Sequence, residues 1–298
     1  MSNAPIAQAQ ARPQAQVRAR PHVQAQARPH VQAQARPQAQ AQARPATEVP
    51  KKIFIVPYRD RAAHKQKFLT QMKQLLLGDT NYRFLFVHQK DARPFNRGAM
   101  KNLGFLYIRK CYPQHYQDIT FIFNDVDTYP KHAGLLPYDT VEGSVQHYFG
   151  YRFALGGIFA IKGGDFEKTG GFPNFWGWGL EDNAIYDRSL AAGLTIDRSV
   201  FFPIGHANIV QEFDGYQRML SKRDSVVYKY ETPDDMWALK EVQWQDQADD
   251  DFLHVSFFTC NMKADEQIYS SYDIRRGPYI ALPKGFNRRV WHMKKIFT

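Results

Sequence analysis

A chain of 298 residues with 44% hydrophobic content, 22 Phe and 16 Tyr can bury a large core, which excludes a wholly disordered protein. Two cysteines, Cys111 and Cys260, exclude a disulfide framework, and no run of about 18 apolar residues offers a transmembrane helix. The formal net charge of +10 suggests a polyanion partner only where it is concentrated, and six arginines against one glutamate place half of it before residue 50.

Residues 1–49 repeat Arg-Pro at Arg12-Pro13, Arg20-Pro21, Arg28-Pro29, Arg36-Pro37 and Arg44-Pro45, with Gln and Ala between. Proline at this period removes helix hydrogen bonds, and almost no large side chain is present to offset chain ordering. The expectation is a disordered tail that acts as a spacer, with weak binding of RNA or another polyanion as its alternative. The opening MSNAPIAQAQ lacks the apolar core of a secretory signal, so the expected setting is cytoplasmic.

From Lys51 the pattern changes to that of a folded domain over 50–298. Residues 52–56 read as a buried strand ended by Pro57. Asp60 is a candidate cap for a helix with Phe68, Met72, Leu75 and Leu76 on its apolar face and Gly78 at its end. Residues 82–87 form a second strand, and Met100, Leu103, Tyr107 and Cys111 recur at helical spacing. A third strand over 119–123 runs into Asn124-Asp125-Val126-Asp127. Later come a strand over 154–161 interrupted by Gly156-Gly157, a helix over 181–192 ended by Gly193, and strands over 199–204 and 253–259. The basic, aromatic stretch 275–298 has no placement. Alternating strands and helices predict an α/β fold with a largely parallel sheet flanked by helices.

Ligands of such sheets bind beyond the carboxyl ends of the strands, and three motifs fall there. Pro57-Tyr58-Arg59-Asp60-Arg61 follows the first strand, and two guanidinium groups suit a diphosphate. Asp125-Val126-Asp127 follows the third, and two carboxylates one residue apart suit Mg²⁺ or Mn²⁺. In Gly170 to Asn183, Trp176 and Trp178 stand among Gly177 and Gly179 and offer flat faces to a sugar ring. Glu181 and Asp182 then open a helix, where a carboxylate could take a proton from an attacking hydroxyl. Each motif alone also fits an ordinary surface or core role.

Together they resemble the β-1,4-galactosyltransferase family over roughly residues 52–220. The carrying segments are Pro57-Tyr58-Arg59-Asp60-Arg61, Phe95-Asn96-Arg97, Asp125-Val126-Asp127 and Gly171-Phe172-Pro173-Asn174-Phe175-Trp176-Gly177-Trp178-Gly179-Leu180-Glu181-Asp182, in the family's order. The resemblance implies a Rossmann-like GT-A fold and inverting transfer from a UDP-sugar to a glycan acceptor, with Mn²⁺ or Mg²⁺. It implies a UDP site of Pro57, Tyr58, Arg59, Arg61, Phe95, Arg97, Asp125 and Val126, and Asp127 as direct metal ligand. It makes Trp178 the residue of a loop that closes over the donor, Glu181 a sugar-contacting acid and Asp182 the base.

Three positions depart from the family pattern. Pro203 stands at the methionine of a Met-x-x-His segment, leaving His206 as the second expected metal ligand. Ala154-Leu155-Gly156-Gly157 replaces Tyr-Phe-Gly-Gly, which makes room for an N-acetyl group and adds UDP-GalNAc to UDP-galactose as a donor. Asn183 replaces an acidic acceptor-binding residue. A catalytically inactive sugar- or UDP-binding relative remains the alternative.

Overall fold

The structure, a computed structural model, describes residues 48–222, 234–247 and 251–276. The Arg-Pro tail and most of the basic C-terminal stretch, with the expectations attached to them, lie outside the described residues.

The described chain runs β1 (Lys52–Tyr58), α1 (Ala62–Leu75), β2 (Tyr82–Gln89), α2 (Arg97–Cys111), β3 (Thr120–Asn124), β4 (Thr128–Pro130), β5 (Ser144–Gly150) and β6 (Ile158–Lys162). It continues through α3 (Gly163–Lys168), α4 (Glu181–Ala191), β7 (Thr195–Asp197), β8 (Phe202–Pro203), β9 (Ile209–Gln211), β10 (Gln217–Ser221), β11 (Lys240–Gln247), β12 (Phe252–Thr259) and β13 (Tyr269–Asp273). None of the described helices is long and apolar enough to cross a membrane.

The main sheet has the order β11-β12-β2-β1-β3-β6-β5-β7, and β8 also pairs with β5. β6 and β11 run against their neighbours, and every other pairing in this sheet is parallel. The reversal of β6 follows from chain length, because residues 151–157 are too few for the crossover that a parallel neighbour requires. β4 pairs with β9 and β10 with β13 as two small antiparallel sheets.

Both faces of the central strands are buried, which explains their continuous apolar runs. Ile53 and Ile55 of β1 join Leu85, Val87, Phe121 and Phe123 on one face, beneath Met100, Leu103 and Tyr107 of α2. Phe54 and Val56 join Phe84, Phe86 and Ile122 on the other, against Phe68 and Met72 of α1. α2 lies close to the sheet because position 104 has no side chain. A Cβ there would stand 2.8 Å from a methyl of Ile55 and of Val87.

Several boundaries differ from the sequence reading. β1 continues through Pro57, a position past Ile55, where its ladder with β3 ends and leaves a neighbour on one side only. Asp60 does not cap α1; it sits at φ 51, and Arg61 occupies the cap without a side-chain bond. Asn96 does cap α2, accepting from the Ala99 N–H. Residues 154–157 are irregular, bending at Ala154 and Gly157, and leave only Ile158–Lys162 as strand. The strand expected over 199–204 shrinks to Phe202–Pro203.

Candidate active site

A cleft of about 900 Å³ opens beyond the carboxyl ends of β1 and β3. Of the site residues that the resemblance to the family implies, all but one line it: Pro57, Arg59, Arg61, Phe95, Arg97, Asp125, Val126, Asp127, Ala154, Gly156, Gly157, Trp178, Glu181, Asp182 and His206. Tyr58 is the exception. Alternation along β1 turns it to the face of Phe54 and Val56, where its ring packs edge-on against Phe86, His88 and Phe252. Its predicted place in a nucleotide site is therefore corrected to a core one.

A cluster of charges forms where α2 meets the start of α4. The Arg97 guanidinium donates to Asp125 and stands 3.0 Å from Glu181 Oε1. Lys101, one turn further along α2, donates to Asp182 Oδ1 at 2.9 Å. The Gly179 N–H donates to Glu181 Oε2 at 3.1 Å. Burial opposes the charge on Arg97, but Asp125, Glu181 and Asp182 outweigh it and hold the guanidinium well above its ordinary range. Burial likewise raises the Asp125 carboxyl, and Arg97 with Lys101 more than reverses this. For Glu181, burial and the adjacent Asp182 prevail over both cations, so its carboxyl is raised.

Asp182 is seated by its surroundings. Its carbonyl accepts from the Leu155 N–H at 2.8 Å. A Cβ at position 156 would lie 2.6 Å from Asp182 Oδ2, so that oxygen rests where only glycine leaves room. The next residue, Gly157, has φ +71, and its carbonyl accepts from the Asp125 N–H at 3.3 Å. One irregular segment thus joins the proposed base to the aspartate pair.

The two aspartates do different things. Asp125 is committed to Arg97. Asp127 accepts from the Thr128 hydroxyl at 2.9 Å and has no ion-pair partner among the described residues. Burial, then the nearby carboxylates of Asp125 and Asp214, push its carboxyl up to about 6. His206 lines the same cleft, with Nδ1 accepting from the Asn208 N–H at 3.2 Å and its ring 4.8 Å from that of Phe202. Among the described residues, no group of three or more His, Cys, Asp or Glu is arranged around one point as a metal cage.

The arginines and tryptophans of the motifs divide their work. Arg59 donates to the backbone carbonyls of Asp91 and Arg93 and lies 5.9 Å from the Phe95 ring, so it fixes the loop that carries Phe95. Arg61 pairs with Asp214 at 3.2 Å, and Asp214 also takes Arg218 at 2.5 Å. The expected open pair of guanidinium groups is thus, in this conformation, two groups with acid or carbonyl partners. Trp176 is 1% exposed, stacks on Phe258 at 5.4 Å and donates to the Met262 carbonyl, so it belongs to the core rather than to a sugar platform. Trp178 does face the cleft, and its N–H donates to the Met219 carbonyl at 2.7 Å. Gly177, at φ +99, allows this seat, since a Cβ there would meet that carbonyl at 2.7 Å.

Lys101, Asp214 and Arg218 escaped the sequence reading. Lys101 had a signal, an Arg97-x-x-x-Lys101 spacing that sets two cations on one helix face. Asp214 and Arg218 had none, because they pair four residues apart outside any helix and the Arg61 that Asp214 also takes lies far away in the chain.

Residues 5–136 match the family described as the N-terminal region of glycosyl transferase group 7, and residues 139–211 the one described as the N-terminal domain of galactosyltransferase. The chain is 28% identical over 205 residues to the xylosylprotein 4-β-galactosyltransferase of Caenorhabditis elegans, covering 65% of this chain and 67% of that protein. It is 30% identical over 169 residues to bovine β-1,4-galactosyltransferase 1, covering 50% of this chain but only 39% of that one. Against mouse β-1,4-galactosyltransferase 5 the figures are 30% over 161 residues, 50% and 40%, so the chain spans well under half of these mammalian relatives. Among solved structures, a Drosophila β-1,4-galactosyltransferase 7 mutant in complex with manganese, UDP-Gal and xylobiose superposes with a TM-score of 0.58 at 20% identity, over 73% of this chain and 97% of that one. That likeness establishes the GT-A fold.

Proposed function

The chain belongs to the β-1,4-galactosyltransferase family, and on that premise we propose that it transfers galactose or N-acetylgalactosamine from a UDP-sugar to a glycan hydroxyl, with inversion and with Mn²⁺ as cofactor. The observation that carries this reading is the convergence of Asp182, Asp127 and the Arg97 cluster on one cleft.

The donor set fits a divalent cation. Asp127 is a half-buried carboxylate crowded by acids, with no ion-pair partner among the described residues, and a dication would relieve that excess of negative charge. Asp127 and His206 would hold it, and diphosphate oxygens and water would complete the shell, as is usual for hard cations bound by few protein groups. The missing three-residue cage and the proline at position 203 are compatible with such a site. When bound, the ion supplies neutralising charge to the leaving diphosphate.

The chain's own residues do the rest. Asp182 takes the proton of the acceptor hydroxyl as that oxygen attacks the anomeric carbon. A single displacement from the face opposite UDP inverts the centre. Trp178, clamped by its backbone to Met219, walls the cleft and helps to exclude water. Ala154 presents only a methyl group to the cleft, which leaves space beside the donor sugar.

The test is a panel of UDP-sugars assayed with Mn²⁺ and again with chelator. Mn²⁺-dependent transfer from UDP-galactose or UDP-GalNAc is the expected result. Tight UDP binding without turnover on any donor would instead identify an inactive binding relative. Ala154→Tyr is expected to lower kcat/KM for UDP-GalNAc relative to UDP-galactose by roughly ten-fold or more, since a filled pocket discriminates by bulk. An unchanged ratio would remove Ala154 from the donor pocket.

A further inference from the structure

Lys101 is 2% exposed, a rare state for a lysine. Its ammonium lies 2.9 Å from Asp182 Oδ1 and 4.5 Å from the centre of the Phe172 ring. Burying an ammonium is costly unless it is paired and hydrogen-bonded. A brace between α2 and α4 needs no such group, because apolar side chains of similar volume fasten helices at least as well. Here the burial is spent on the one carboxylate that the proposed reaction uses as its base.

The local charges show what the lysine supplies. Asp182 is faced by Glu181 from its own helix and by Arg97 and Lys101 from α2, and Asp125 at the end of β3 draws on the same two cations. The segment at Gly156-Gly157 presents no charged side chain. Three carboxylates therefore share two cations, and without Lys101 they would share only Arg97. Like charges this close oppose joint ionisation. Geometry adds a second effect. Lys101 holds Oδ1, and the other oxygen rests beside Gly156 on the cleft wall.

Building on the reading of Asp182 as base, we propose that Lys101 is a positioning residue of the transfer reaction, setting its positive charge on Oδ1 so that Oδ2 meets the acceptor hydroxyl. The acceptor proton passes to Oδ2 as the new C–O bond forms and the bond to UDP breaks, and it leaves to water afterwards.

The test uses the full chain with Lys101→Met, Lys101→Gln and Lys101→Arg, each checked for folding by circular dichroism and for UDP affinity. Lys101→Met and Lys101→Gln should lower kcat by roughly ten-fold or more with little change in donor KM, the signature of a contact used in the chemical step. In both, the acid limb of the kcat–pH profile should move to higher pH, and Lys101→Arg should restore most of kcat and of the limb. Carbon-13 titration of the Asp182 carboxyl gives a readout independent of turnover, and its midpoint should rise in Lys101→Met and Lys101→Gln. A folded Lys101→Gln with wild-type kcat, limb and carboxyl titration would overturn the proposal. A shifted carboxyl in a chain whose wild type transfers no sugar would instead count against the transferase reading alone.

Discussion

Asp182 is held on two sides, with Oδ1 on Lys101 and Oδ2 against Gly156. Asp182→Asn keeps the shape and removes the proton acceptor, so transfer should fall by about 10²- to 10⁴-fold while calorimetry shows UDP affinity unchanged. A wild-type rate in that variant would refute the assignment of the base. Gly156→Ala tests the seat itself. Its new methyl would fall 2.6 Å from Oδ2, so the carboxylate must swing away, and kcat should drop while the melting temperature moves little. At this scale the sequence was informative where a motif sits at a strand end, since Asp125, Asp127 and Asp182 reach the cleft wherever strand and helix ends converge. It was uninformative about partners. Arg59 and Trp176 read as ligand-facing, yet one bonds a loop backbone and the other stacks on Phe258, both distant in sequence.

α2 shows what periodicity can and cannot deliver for an element. Its apolar recurrence at Met100, Leu103 and Tyr107 predicted a helix and its buried face, and both are present. The tightness of its contact with the sheet was invisible, because it depends on an absent side chain at position 104. Gly104→Ala should gain up to about 1 kcal/mol of helix propensity. It should lose about 1–3 kcal/mol through overpacking, because the methyls it meets belong to the stiff side chains of Ile55 and Val87. The net effect expected from urea denaturation is destabilisation, and a variant as stable as wild type would show that α2 can shift outward freely. β5 illustrates the opposite limit. Gln146 and His147 break its apolar run, and only tertiary burial makes it a strand.

Across the whole molecule, a buried histidine ties stability to pH. His147 is fully buried in β5; its Nδ1 accepts from Arg198, and its Nε2 lies 3.1 Å from the Phe149 carbonyl and 3.3 Å from that of Gly156. Burial, and then Arg198, lower it from 6.5 to about 4. The unfolded chain takes up this proton as pH falls below about 6.5, whereas the folded one resists until near 4. Its contribution is therefore complete above the unfolded value and is lost as pH drops across that window. His88, lowered to about 4 by burial and by His254, acts in the same direction. Denaturation midpoints should fall between pH 7 and pH 5, and His147→Gln should flatten that slope. An identical slope in the variant would place the linkage elsewhere.

The sheet order also sets a schedule for synthesis. β1, β2 and β3 have been synthesised by residue 124, but the outer edge of β2 is covered by β12, where Phe252 pairs with Phe86 and Val255 with Gln89. The cleft aspartates Asp125, Asp127 and Asp182 are thus made well before the strand that closes this side of the sheet. Until then the nascent chain carries an apolar, open strand edge, a template for pairing with another copy. The family matches end at residue 211, so the strand that retires this hazard comes from the part of the chain beyond them.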